Sequence, residues 1–141
     1  MAEYRDLSMC DYFGPDHTAL VAIGWLSGQS NFQKGSSPTA FSENLIQLLA
    51  DPWQPVVAVG GHRCELCQFN GPLGSKNLFV PFQGHIYVAP ELINHYMAAH
   101  WYKPPQEFVD AVMNCVSTRS MDYKKALLSN GGSSLVKLAN T

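Results

Sequence analysis

Apolar residues in this chain fall into two rhythms, one of continuous runs and one of helical spacing, with polar punctuation between them. Thr18 to Leu26 (TALVAIGWL) is a near-continuous apolar run bounded by turn residues, the pattern of a buried central strand. The stretch GQSNFQKGSSPT that follows is a long Gly/Ser/Pro loop, of the kind that serves as a lid or binding loop. Ser37-Pro38 opens a helix, serine capping free amides and proline suiting the first turn. Phe41, Leu45, Leu48 and Leu49 carry that helix, and Asp51-Pro52 stops it. Val56–Val59 reads as a short buried strand. Asn77–Phe82 and His85–Val88, separated by Gln83-Gly84, read as a hairpin with Gly84 supplying a positive φ. Pro90 starts a helix carrying Leu92, Ile93, Tyr96 and Met97. Pro104-Pro105 ends it and starts another, striped by Phe108, Val109 and Val112. A last helix runs from Ser120 through Tyr123, Ala126 and Leu127 to Gly131-Gly132, and the tail from Ser133 carries no readable pattern.

Strands and helices in this order predict an α+β fold, a small mixed domain spanning residues 1–141. Of 141 residues 46% are hydrophobic and 14% charged, enough apolar matter for one core and too little charge for a disordered chain. So neutral a surface implies a protein partner or a second copy. A net charge of -2 argues against a broad basic face for nucleic acid. The first residues lack the basic and apolar regions of a secretory signal, and no apolar run approaches the ~20 residues of a membrane span. The expected compartment is the cytoplasm, where thiols stay reduced. There a Cys-x-x-Cys among four cysteines points to metal or redox chemistry. Cys10 and Cys115 read as small buried apolar residues.

The chemistry gathers in residues 61–105, as a zinc-binding knuckle, hairpin and helix. Cys64 and Cys67 in a tight turn can aim two sulfurs at one ion, and His95 and His100 on the following helix add two imidazoles, the donor set of a tetrahedral Zn2+. The histidines stand five apart, about 140° around an ideal helix. Sharing an ion therefore requires His100 to sit in a loosened last turn, which Trp101 and the prolines after it allow. His62 is a possible substitute ligand, as is His85, whose ordinary role is strand packing; His17 is assigned nothing. A dithiol redox site competes, since a strand precedes the cysteines. In such sites the second cysteine begins a helix, and here Asn70-Gly71-Pro72 forbids one. Arg63, Lys76 and Lys103 are weak candidates for receiving an anion, and Tyr96, Trp101 and Tyr102 are either core or a contact surface.

The order knuckle, hairpin, helix over Cys64–His100 resembles the treble-clef arrangement, in which the helix supplies the second ligand pair. GWL at 24–26, HRCELC at 62–67 and YVAPELINHYMAAHWYKPPQEF at 87–108 together resemble an uncharacterised bacterial family, a domain of unknown function. That resemblance implies a bacterial cytoplasmic protein and no activity. The leading expectation is thus a structural Cys2His2 zinc site in a binding or interaction module, not an enzyme. The alternative is a metal-dependent hydrolase: His85, Asn94 and a helix histidine faintly resemble the ββα-metal nucleases, with His85 activating water. No His-x-Glu partner of a zinc deaminase and no His-Glu-x-x-His of a zinc protease is present.

Overall fold

A computed structural model describes residues 3–56 and 61–140. Its centre is a mixed sheet of β1 (Leu20–Ala22), β4 (Asn77–Phe82) and β5 (His85–Pro90), with β5 in the middle. β1 runs parallel to β5, pairing Leu20 with Ile86 and Ala22 with Val88. β4 and β5 form the expected antiparallel hairpin, closing from Asn77 against Pro90 to Phe82 against His85. Gln83 and Gly84 both take positive φ, 49° and 85°, the backbone a two-residue hairpin turn needs.

Alternation along the strands divides the core in two. Leu78 and Val80 of β4 with Tyr87 and Ala89 of β5 face one side. There they meet α1 (Thr39–Ala50), α2 (Ile93–His100) and α3 (Gln106–Met113) through Phe41, Leu45, Tyr96, Phe108 and Val112. Phe79, Ile86 and Val88 face the other side, covered by α4 (Met121–Ser129) and α5 (Ser133–Ala139) through Tyr123, Leu127, Leu135 and Val136. A sheet buried on both faces explains why its strands read as continuous apolar runs. α1, α3 and α4 follow their sequence stripes, and Ser120 caps α4 by accepting the Tyr123 N–H at 3.1 Å.

Several expectations are corrected. The 18–26 run forms only a three-residue strand at the sheet's end, although Leu7, Ser8 and Cys10 hydrogen-bond to its free side. Ser37 makes no cap; Pro38 itself is the N-cap residue of α1, with extended φ/ψ. Pro90 ends β5 instead of opening a helix, and Glu91 N–H continues the ladder to Lys76 O at 2.9 Å. The tail from Ser133 is helix α5. Of the proposed Val56–Val59 strand, Val56 is exposed and residues 57–59 lie outside the described residues. Among the described residues no helix is long and apolar enough to cross a membrane.

Candidate metal centre

The knuckle stands on a second, two-stranded ribbon of β2 (His62–Arg63) and β3 (Leu73–Gly74). Cys64 N–H donates to Pro72 O at 3.0 Å and the Arg63 guanidinium to Gly71 O at 2.8 Å, so both ends of the turn are tied. Gly71 lies inside the turn: a Cβ there would stand 2.5 Å from Cys64 O and 2.9 Å from Cys64 Cβ. Glu91 locks the ribbon to the approach of α2, its Oε1 accepting Ser75 and Lys76 N–H at 2.5 and 3.0 Å.

From the other side α2 offers His95 in its first turn and His100 as its last residue. The five-residue spacing is reconciled at the C-terminus. Trp101 takes φ 61° and its N–H reaches back five residues to Tyr96 O, an i→i−5 bond that widens the last turn. The two imidazoles then stand 5.0 Å apart at 79°. One ligand atom from each of Cys64, Cys67, His95 and His100 lies within 4.8 Å of all the others, and no other group of three or more such residues occurs among the described residues. Cys67 Sγ is 3.2 Å from His95 Nε2 and 3.3 Å from His100 Nε2, and Cys64 Sγ is 3.5 Å from His100 Nε2. Sulfur and nitrogen bound tetrahedrally to one zinc stand about 3.6 Å apart. The four side chains can therefore hold a metal ion.

Cys64 is buried; Cys67, His95 and His100 are half-buried. Desolvation first, then the neighbouring Cys64, push the Cys67 thiol up, while desolvation and the nearby His100 push His95 down. Both shifts favour a protonated Cys67 sulfur and a neutral His95 imidazole. Neutral imidazole is already the ligating form, and a cation would convert the thiols to thiolates. After Cys67 come bends and no helix, so nothing there lowers a thiolate pKa as a redox site requires.

The competing residues go elsewhere. His62 is outside the group, its Nε2 buried without a hydrogen-bond partner. His85 is exposed at the hairpin turn and lies outside the group, so the nuclease-like trio is not assembled with the cluster. Arg63 is spent on the knuckle. Tyr96 and Tyr102 are core and only Trp101 is exposed, which splits the aromatic set. In the sequence Gly71 reads only as a helix breaker and Glu91 carries no signal, because what they touch lies across a turn or distant in the chain.

The sequence profile of a family described as a domain of unknown function (DUF7919) matches residues 2–113, and the chain belongs to that family. No curated protein and no solved structure matches it.

Proposed function

We propose that this member of the DUF7919 family is a zinc protein whose ion is structural, with Cys64, Cys67, His95 and His100 as its four ligands, and that it works as an interaction module in a bacterial cytoplasm. The observation that carries the reading is the convergence of two sulfurs and two Nε2 atoms within 4.8 Å. Four protein donors fill a tetrahedron and leave no position for water or substrate. The ion would clamp the 62–74 ribbon to α2, two segments joined by little else than Glu91 and the apolar core. Its binding free energy then becomes folding free energy for residues 61–105.

Elemental analysis of protein purified without added zinc tests this. One zinc per chain, with an X-ray absorption spectrum showing two sulfur and two nitrogen neighbours, is the expected result. Metal-free protein refutes the reading, and three protein donors plus a water turn it toward hydrolytic chemistry.

A further inference from the structure

The left-handed backbone of Trp101 closes the last turn of α2 and so seats His100, but it does not call for a tryptophan there. The residue ending a helix in the left-handed region is usually glycine, and a bulky residue there is strained. Here it is a tryptophan, 65% exposed. The residue chosen for that position therefore leaves a large aromatic ring facing solvent beside the Cys/His group.

The ring forms one wall of a cleft of about 470 Å³, with Leu66 and His100 beside it and Phe32, Asn31 and Lys34 of the 28–38 loop opposite. That size lies in the range of small-molecule sites, ~300–1,000 Å³. The loop is fastened where the cleft needs it. Lys34 bridges to Tyr102, Gly35 N–H donates to Trp101 O at 2.9 Å, Lys103 N–H donates to Gln33 O at 2.9 Å, and Gly28 N–H donates to Glu65 between the two cysteines.

The charges in the cleft are one-sided. Lys34 Nζ lies 5.8 Å from the Phe32 ring centroid and has no carboxylate partner among the described residues. No acid is among the residues lining the cleft; Glu3, Arg5, Asp6 and Lys103 line the neighbouring cavity, which shares Ser30, Asn31 and Phe32 with it. Among the described residues the Asn31 amide has no hydrogen-bond partner, whereas Ser30, also in the lining, donates its Oγ–H to Glu3. A flat ring, a free amide and an unpaired ammonium match the three parts of a nucleotide: base on Trp101, base edge on Asn31, phosphate on Lys34.

We infer that the cleft between the metal knuckle and the 28–38 loop binds a nucleoside monophosphate, stacked on Trp101 and held through its phosphate by Lys34. This rests on the zinc reading only for the position of His100 and the knuckle wall.

The test titrates zinc-assayed protein with adenosine 5′-monophosphate, following tryptophan emission; of three tryptophans, Trp25 is buried and Trp53 half-buried, so Trp101 dominates the response. Saturable quenching is expected, weakened about tenfold by Lys34→Gln. Adenosine should bind correspondingly more weakly, and inorganic phosphate should leave the emission unchanged. By calorimetry Trp101→Gly should lose binding by at least about tenfold while keeping its zinc and its fold, since glycine suits that backbone. No quenching in zinc-replete protein overturns the inference, as does adenosine binding equally well or Trp101→Gly binding unchanged. Absence of zinc in the parent protein instead counts against the metal reading, so the two failures are told apart.

Discussion

Gly71→Ala is the substitution that asks most of the metal centre. The added Cβ would meet Cys64 O at 2.5 Å, Cys64 Cβ at 2.9 Å and Cys67 Cβ at 3.2 Å. Carbon and a carbonyl oxygen settle at about 3.3–3.6 Å, so the knuckle must open by roughly 0.8–1 Å at Cys64. Metal–ligand distances tolerate only about 0.2 Å. The shift therefore draws the cysteine sulfurs off their best positions for an ion shared with His95 and His100. Zinc affinity should fall about 10–100-fold, the usual scale for disturbing what supports a ligand. Overpacking costs a further ~1–3 kcal/mol of stability, or roughly 4 °C of Tm per kcal/mol at this size. Competition against a chromophoric chelator measures the first, and thermal unfolding the second. Gly84→Ala is the matched control: nothing lies within 4 Å of its Cβ, but its φ is +85°. It should cost about 1–2 kcal/mol through backbone strain alone and leave zinc affinity untouched. A Gly71→Ala protein that holds zinc as tightly as the parent refutes the reasoning.

His85→Ala should keep full zinc content and change stability by less than about 0.5 kcal/mol, because the side chain is exposed and outside the ligand group; metal analysis with urea unfolding checks both, and loss of zinc would return His85 to the candidate ligands. Asp6 accepts the Gly24 N–H at 2.9 Å and the Tyr102 O–H at 2.7 Å, and burial holds its carboxyl above the usual value despite those two bonds. A raised acid contributes its stability in full below its unfolded pKa and loses it as pH rises through the folded value. Asp6→Asn, which does not titrate, should therefore gain on the parent as pH climbs from about 4; parallel urea titrations across that range measure the difference, and parallel curves would contradict it.

What the sequence made legible was what local pattern determines. α1 and α3 announce themselves by one-faced stripes, and α4 by Ser120 and its apolar pair. The hairpin shows through two apolar runs about Gln83-Gly84. The donor group was legible too: two thiols and two imidazoles stand in one segment, and the fold brings them close enough to hold an ion. The rest is set by contacts across the fold. Pro90 has the look of a helix opener, yet pairing with Asn77 keeps it in the sheet. α5 carries too weak a stripe to be read, and Leu135 and Val136 hold it against the sheet. Ser37 loses the cap because Pro38 takes that place. Trp101 is among the residue types least expected at positive φ, so the widened turn that seats His100 left only an indirect trace, the prolines beyond it.

The family match stops at Met113, but Tyr123, Leu127, Leu135 and Val136 roof the half of the sheet made by Phe79, Ile86 and Val88. The matched segment thus carries the Cys/His group complete and one wall bare. Any relative built from that segment alone inherits the same greasy wall and must shelter it with a neighbouring domain or another chain. In this protein the shelter is home-grown, and severing it after Met113 would bare an apolar face that clings to whatever apolar surface it meets.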